Sequence, residues 1–209
     1  MSPPRGDAEA RHVAILDAAL QVFGQYGYRR TSMDDIARAA GIGKGTVYLS
    51  FAGKEEVFQA LSRRLAQRML AGAEAARHRP GTTADKLGAM HAAWFGTYAE
   101  TIRRSPHAAE LLDAKHQLSA GLGSDAASQY KRLVRDVLTE AVAAGELDLQ
   151  PAGLTADTAA ELLIGSARGL HSSAPSPAAY RRSLTALVRV MVAGLSSAHS
   201  SNAASRPPA

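Results

Sequence analysis

Cysteine is absent from this chain of 209 residues. Its absence excludes disulfide bridges, thiolate metal sites and catalysis by a thiol nucleophile. Aromatic residues are also scarce, at 5% of the sequence, whereas alanine is abundant and hydrophobic residues make up 46%. Small apolar side chains with high helix propensity favour closely packed helices over sheets. We therefore expect an all-α protein, and the helix signals along the chain divide it into about nine helices.

Long hydrophobic runs are missing as well. No apolar stretch approaches the length of a membrane span, and the start, MSPPRGDAEAR, lacks the apolar segment of a signal peptide. At 209 residues the chain is long enough to bury a proper core in one large or two modest domains. The sequence thus predicts a cytoplasmic protein with no membrane partner.

The net charge of +5 is unevenly distributed along the chain. Residues 1–79 hold 12 Lys and Arg against 8 Asp and Glu, whereas residues 80–209 hold 12 against 11. A basic region joined to a nearly neutral one is typical of nucleic-acid binding combined with a separate regulatory domain. Such a small excess also occurs on surfaces that bind no DNA. Charge alone therefore does not identify a nucleic-acid-binding domain, and the sequence motifs are needed.

The stretch from Thr31 to Phe51, TSMDDIARAAGIGKGTVYLSF, predicts two short helices joined by a tight glycine turn. Thr31 and Ser32 stand three residues before two aspartates, an arrangement that satisfies the free amides of a helix start. Gly41 then supplies the residue that most easily ends a helix in the left-handed conformation. The apolar residues of the first helix follow helical spacing: Met33, Ile36, Ala37 and Ala40.

The second short helix has a polar face. Val47 and Phe51 have the spacing of inward residues, which leaves outward Lys44, Gly45, Thr46, Tyr48 and Ser50. No catalytic pair is among the outward residues. Cationic, phenolic and hydroxyl groups on a short helix suit a DNA groove, with side chains on phosphates and base edges.

The run from Gly27 to Phe58, GYRRTSMDDIARAAGIGKGTVYLSFAGKEEVF, resembles the DNA-binding domain of the TetR family of bacterial transcriptional regulators. The shared features are the Thr-Ser start, Ile-Ala in the first helix, Ala-Gly-Ile in the turn, Lys-Gly-Thr-Val-Tyr in the second helix, and then Phe and Lys-Glu. Three residues depart from the family pattern. Gly43 and Gly53 stand where polar caps are common, and Ser50 replaces a larger aromatic residue or histidine.

The resemblance implies a ligand-responsive regulator, most simply a repressor. It would bind a palindromic operator in double-stranded DNA as a homodimer and be released by a small-molecule effector. It also implies a three-helix helix-turn-helix domain over residues 1–53 and a helical effector-binding and dimerisation domain over residues 54–198. We expect residues 199–209 to be a disordered tail. A recognition helix of about two turns makes few base contacts, which independently favours a dimer.

The expected DNA-binding residues are the polar face of the second helix, the capping hydroxyls and nearby cations. We assign Lys44 to a base edge or phosphate, Gly45 to close backbone approach, and Tyr48 to a phosphate or thymine methyl group. Packing inside the domain is the alternative for Tyr48, and a solvated surface charge is the alternative for each basic residue outside the helix. The full set is Arg29, Arg30, Thr31, Ser32, Lys44, Gly45, Thr46, Tyr48, Ser50 and Lys54.

Capping residues and breakers predict the other helices. We expect helices over about Ala8–Tyr26, from Lys54 to about His78, from Thr82 or Thr83 to about Arg104, from Ser105-Pro106 through Leu118, from a glycine loop at residues 121–124 to Gly145, from Thr155 to about His171, and from Ser176-Pro177 onward.

Two further groups of residues have an ordinary core interpretation and a functional one. An aromatic cluster on the fifth helix could line an apolar ligand cavity, and small and apolar residues on the last two helices could form a subunit interface. The TetR resemblance favours the functional interpretation of both. The cluster is Met90, His91, Trp94, Phe95 and Tyr98; the interface set is Leu162, Gly165, Ser166, Gly169, Leu184, Leu187, Val188, Met191 and Leu195.

Catalytic and metal-binding patterns are lacking. His107 and His116 are too far apart for ligation from one helical turn, and the carboxylates show no paired arrangement for acid or base catalysis. We therefore expect no metal, no cofactor and no enzymatic activity. The alternatives are a helical small-molecule-binding protein or enzyme with a vestigial helix-turn-helix, and a constitutive DNA binder whose second domain is filled.

Overall fold

The computed structural model describes residues 5–103, 105–118 and 122–196. Within these ranges the chain forms nine α-helices and no β-strand, apart from an isolated antiparallel bridge between Leu147 and Ser196. The predicted all-α fold is thus confirmed. The helices are α1 (Arg5–Arg30), α2 (Met33–Ala40), α3 (Lys44–Ser50), α4 (Lys54–Arg77), α5 (Thr83–Arg103), α6 (Ala108–Leu118), α7 (Leu122–Ala143), α8 (Ala156–Ser173) and α9 (Pro177–Gly194).

The first helix is broken near its end by Gly27. This residue has φ 81° and ψ 168°, a conformation that is essentially restricted to glycine. The chain from Tyr28 to Arg30 therefore forms a link into α2 and does not continue the axis of α1. This break agrees with the predicted end of the first helix at about Tyr26, whereas α1 starts at Arg5 and not near Ala8.

The short helices α2 and α3 begin and end where the local sequence predicts. Ser32 caps α2, and its hydroxyl accepts the Asp35 N–H while the Asp35 carboxylate accepts the Ser32 N–H at 3.0 Å. Gly41 ends α2 with φ 68° and ψ 26°. Gly43 precedes α3 without any side-chain capping bond. The α2–α3 angle is thus fixed by local capping and by the glycine turn.

Two further predicted boundaries are wrong. The sixth helix begins at Ala108 because the Ser105 hydroxyl closes a turn: it accepts the His107 N–H at 3.0 Å and donates to the Gly24 carbonyl at 2.7 Å. The expected loop at residues 121–124 is helical from Leu122 onward. The predicted tail at residues 199–209 lies outside the described part of the chain.

The chain divides into two compact units. The first comprises the chain up to Gln67 together with Glu100–Asp125, and the second comprises Arg68–Ala99 together with the chain from Ala126 onward. This division by packing cuts through α4, α5 and α7. The functional division at residues 53 and 54 is a different kind of boundary and stays a prediction.

Each unit has its own apolar core. In the first, the Phe58 ring packs edge-on against Phe23 at 5.4 Å and against Tyr28 at 5.1 Å. In the second, fully buried aliphatic residues such as Leu87, Val134 and Leu184 fill the interior. Burying one such side chain stabilises a fold by roughly 1.5–3 kcal/mol. In the described ranges, none of the helices combines the length and apolar character that a membrane span requires.

Candidate nucleic-acid interface

Helix α3 is anchored by one face and exposed on the other. Val47 is fully buried, and Phe51, which caps the helix, is also buried. The two residues lie on the same side of the helix because four positions separate them. The opposite side therefore faces away from the core of the first unit, as the sequence predicts.

The exposed face of α3 contains the predicted polar residues and one apolar residue that the sequence interpretation missed. Lys44 and Gly45 are exposed, Thr46 and Ser50 are half-buried, and Tyr48 is 47% exposed. Leu49 is 88% exposed. Its position outside the Val47–Phe51 spacing is the signal that should have identified it. We call these six residues the α3 face: Lys44, Gly45, Thr46, Tyr48, Leu49 and Ser50.

The cation of the α3 face is paired in the free protein. The Lys44 ammonium lies 2.7 Å and 3.0 Å from the two carboxylate oxygens of Asp34 on α2. This hydrogen bond raises the pKa of Lys44 above its ordinary value. The ammonium also lies 6.0 Å from the Tyr48 ring centroid. A phosphate group approaching α3 would therefore compete with Asp34 for a fully protonated lysine.

Lys54 is tied to the link between α1 and α2. Its ammonium donates to the carbonyls of Tyr28 at 2.8 Å and Arg29 at 3.2 Å, and it lies 4.6 Å from the Tyr28 ring centroid. Partial burial lowers the pKa of Lys54. Two of its three N–H donors are thus used within the fold, and one is available for the phosphate contact that the sequence predicts.

Thr31 and Ser32 are placed in different environments. Thr31 is 2% exposed, and its hydroxyl donates to the Gly27 carbonyl at 2.7 Å. A side chain this deeply buried has no surface to offer a phosphate, so we assign Thr31 to the link between α1 and α2. Ser32 is exposed and remains in the candidate interface. Ser50 uses its hydroxyl within α3, donating to the Thr46 carbonyl at 3.2 Å.

Glu110 on α6 holds the same link, and the sequence interpretation gave no role to this residue. Its carboxylate accepts the Arg29 N–H at 2.6 Å and lies against Gly27, where a Cβ atom would collide with Oε2. The side chains of Arg29 and Arg30 are exposed. Glu110 therefore positions the backbone that presents both arginines next to the start of α2.

In the second unit, the five predicted ligand-binding residues do not share one surface. Met90 and His91 are completely buried, Phe95 is half-buried, and the side chain of Tyr98 lies outside the described residues. Trp94 stacks on Tyr130 with ring centroids 4.4 Å apart. These two rings form part of the wall of a cavity of about 300 Å³. Among the described members of the predicted set, Trp94 alone is in that wall, and Tyr130 was missed.

The predicted subunit interface also needs correction. Leu184 and Val188 are buried in the core of their own unit, so they cannot form an exposed interface. Val190 is 70% exposed on α9 and was missed. Leu162, Gly165, Ser166 and Gly169 are exposed on α8, and Leu187, Met191 and Leu195 on α9 are half-buried. Among the described residues, His, Asp and Glu side chains form no group that could hold a metal ion.

Residues 15–61 match the family model of bacterial regulatory proteins of the tetR family. The HTH-type transcriptional regulator YhgD of Bacillus subtilis is 44% identical over 59 residues, so this chain matches only 31% of the length of YhgD and 28% of its own. The fatty acid metabolism regulator protein of Bacillus subtilis is 24% identical over 156 residues, which cover 74% of this chain and 78% of that protein.

The likeness in fold extends beyond the helix-turn-helix. The structure of the fatty acid degradation regulator FadR from Bacillus halodurans superimposes with a TM-score of 0.66 at 20% identity, covering 88% of this chain and 96% of FadR. The family match thus includes α2, α3 and the entire α3 face, and the shared fold continues over most of the remaining helices. Residues 15–61 of this chain thus form a domain of the tetR family of bacterial regulatory proteins.

Proposed function

We propose that the chain is a ligand-responsive transcriptional repressor. As a homodimer it binds a palindromic operator in double-stranded DNA, and a small-molecule effector releases it. The observation that carries the proposal is the α3 face: a lysine, a half-exposed tyrosine, an exposed leucine and a glycine backbone lie together on one side of a short, well-anchored helix.

The α3 face suits both phosphate and base contacts. Lys44 can exchange the Asp34 carboxylate for a phosphate or the O6 and N7 acceptors of guanine. Gly45 has no atom within 4 Å of the place where its Cβ would be, so DNA backbone can approach it closely. Tyr48 and Leu49 offer apolar surface to a thymine methyl group. Arg29, Arg30 and Ser32 lie near the start of α2, where phosphates complete the contact.

A dimer follows from the small size of this face. One helix of seven residues reads few bases, whereas two copies related by a two-fold axis read two half-sites about one helical turn of DNA apart, or a multiple of it. The exposed residues Leu162, Gly165 and Gly169 on α8 and Val190 on α9 support an interface formed by these helices. Small residues allow two helices to approach closely, and burying the exposed apolar side chains in an interface is favourable in free energy.

Release by an effector requires a ligand that prefers one conformation of the dimer. The cavity beside Trp94 and Tyr130 supports binding of such a ligand in the second unit. By linkage, an effector that weakens operator binding is itself bound more weakly by the DNA complex, and by the same factor. The coupling free energy between two such sites is typically about 1–3 kcal/mol.

A mobility-shift titration with DNA from upstream of the chain's own gene tests the proposal. Tyr48→Ala is compared with Tyr26→Ala, because both tyrosines are 47% exposed but only Tyr48 is on α3. We expect Tyr48→Ala to weaken sequence-specific binding at least tenfold at physiological salt, and Tyr26→Ala to leave it unchanged. Sequence-specific binding that is equally strong in both variants would show that the α3 face is not the reading surface. No specific retention at all would favour a vestigial helix-turn-helix.

A further inference from the structure

Three polar atoms in the second unit are buried without a hydrogen-bond partner among the described residues. They are His91 Nε2, Tyr130 Oη and Tyr180 Oη. Natural proteins bury only a few such atoms per hundred residues. Each unpaired group costs roughly 1–3 kcal/mol relative to a paired one. Three of them in one core therefore call for an explanation.

The three residues belong to one aromatic cluster. The His91 ring packs edge-on against Tyr130 at 5.6 Å, and both rings lie next to Phe95. His171 connects Phe95 to Tyr180 through ring contacts of 6.0 Å and 5.2 Å. Burial and the neighbouring Tyr180 phenol raise the pKa of Tyr130. The three residues are thus connected by a continuous series of ring contacts.

The protonation of each group is determined by its contacts. His91 Nδ1 lies 2.8 Å from the Leu87 carbonyl, which only accepts, so Nδ1 holds the proton of the neutral ring and Nε2 has a free lone pair. Burial lowers the pKa of His91 to about 4, which keeps the ring neutral at physiological pH. The cluster therefore presents one acceptor, His91 Nε2, and two hydroxyl groups.

A cavity touches this cluster at Tyr130. Tyr130 and Trp94 form part of the wall of the cavity of about 300 Å³, with Ile164 beside them. Its volume is at the lower end of the range for small-molecule sites. The nearby Lys131 ammonium is already neutralised by Asp157 at 2.9 Å and Glu161 at 2.6 Å. The wall also contains the Arg168 cation and the Ser128 hydroxyl, so one side of the cavity is polar.

We propose that this region binds an aromatic compound with a hydroxyl group, whose O–H donates to His91 Nε2 and whose oxygen accepts from a tyrosine hydroxyl. The aromatic ring of the ligand packs against Trp94 and Tyr130. The inference rests on the proposed function, because it specifies the chemistry of the effector. A ligand that lacks the O–H leaves His91 Nε2 unpaired and should bind with lower affinity.

Thymol, its methyl ether and p-cymene form a matched probe series. They share the ring and alkyl groups, and only thymol has an O–H. Trp94 is the chain's single tryptophan, so its fluorescence reports binding at this position. We expect thymol to change this fluorescence saturably, with the methyl ether and p-cymene binding at least tenfold more weakly. Equal affinities for all three neutral probes, or no binding of thymol, would overturn the proposal.

Substitutions in the cluster test whether the preference for thymol over its methyl ether depends on the unpaired atoms. His91→Phe and Tyr130→Phe should reduce the discrimination between thymol and its methyl ether to less than threefold, whereas Tyr26→Phe, far from the cluster in sequence and exposed, should preserve it. Tyr180→Phe provides a third measurement if one of the others does not fold. Unchanged discrimination in every folded cluster variant would contradict the proposal.

Operator binding separates this inference from the proposed function. A protein that binds its operator specifically, but whose complex no thymol concentration dissociates and whose tryptophan does not respond, contradicts the effector chemistry alone. A protein that binds thymol with the expected discrimination but no DNA contradicts the repressor function and leaves the ligand site in place. Thymol-dependent loss of the DNA complex supports both.

Discussion

Replacing Gly27 by alanine should destabilise the first unit because two effects add at this position. A residue with a side chain is strained at φ 81° and ψ 168°, which costs about 1–3 kcal/mol. The new Cβ would also collide with Glu110 Oε2, so that the carboxylate must leave the Arg29 N–H. A hydrogen bond to a charged group contributes about 1.5–3 kcal/mol. We expect a loss of about 3–5 kcal/mol for Gly27→Ala.

A double-mutant cycle with Glu110→Ala separates the two effects. In that background the collision is absent, so Gly27→Ala should cost only the backbone strain, and the coupling energy should equal the hydrogen-bond contribution of about 1.5–3 kcal/mol. Urea unfolding followed by circular dichroism is the appropriate assay, because the single tryptophan, Trp94, belongs to the second unit. Gly24→Ala is the control, since nothing lies within 4 Å of its would-be Cβ and its φ is not positive.

Two results would refute this reasoning. If Gly27→Ala and Gly24→Ala had the same urea midpoint, neither the backbone conformation of Gly27 nor its contact with Glu110 would contribute to stability. If Gly27→Ala cost the same with and without Glu110, the carboxylate would not occupy the space beside Gly27. In either case the assignment of Glu110 as the residue that positions the link before α2 would be wrong.

Two further predictions concern a buried histidine and a glycine of the α3 face. Folding lowers the pKa of His91 from 6.5 to about 4, so the unfolded chain takes up a proton before the folded protein does as the pH falls. The free energy of unfolding should therefore decrease by about 3 kcal/mol between these two pH values. His91→Phe should remove this pH dependence in thermal unfolding measured at pH 4 to 7. Gly45→Ala fills open space on a helix and should raise stability by about 0.5 kcal/mol in urea unfolding. The same variant should weaken operator binding in a mobility-shift titration, because its methyl group blocks close approach of DNA; a gain or no change in affinity would contradict the role of Gly45.

Features that depend on neighbouring residues were predicted from the sequence. The Ser32–Asp35 capping box, the Gly41 turn and the burial of Val47 and Phe51 all require only that residues three to six apart interact. The start of α9 is another example, with Ser176 as the capping residue and proline after it. These local signals were sufficient to place the α3 face on the surface.

Features that depend on distant residues were not predicted. Glu110 contacts Arg29 across 81 positions, and nothing in the local pattern of α6 indicates which carboxylate turns toward the link. The apolar stripe of α9 has the same difficulty. Helical spacing shows that a face is apolar, but it does not show whether the core of the same chain or a second subunit covers that face. Leu184 and Val188 were therefore assigned to a partner subunit, whereas the core of their own unit buries them.

The missing cysteines make the most direct test of the central claim possible. A single Leu49→Cys substitution, at a side chain that is 88% exposed, can be labelled uniquely with an iron chelate that cleaves nearby DNA. On the operator, we predict two clusters of cleavage that are symmetric about one dyad and separated by about one helical turn or a multiple of it. The same label at Thr139→Cys, an exposed position on α7, should leave the DNA intact. A single cluster, or equal cleavage from both positions, would contradict the proposal that two α3 faces read the duplex.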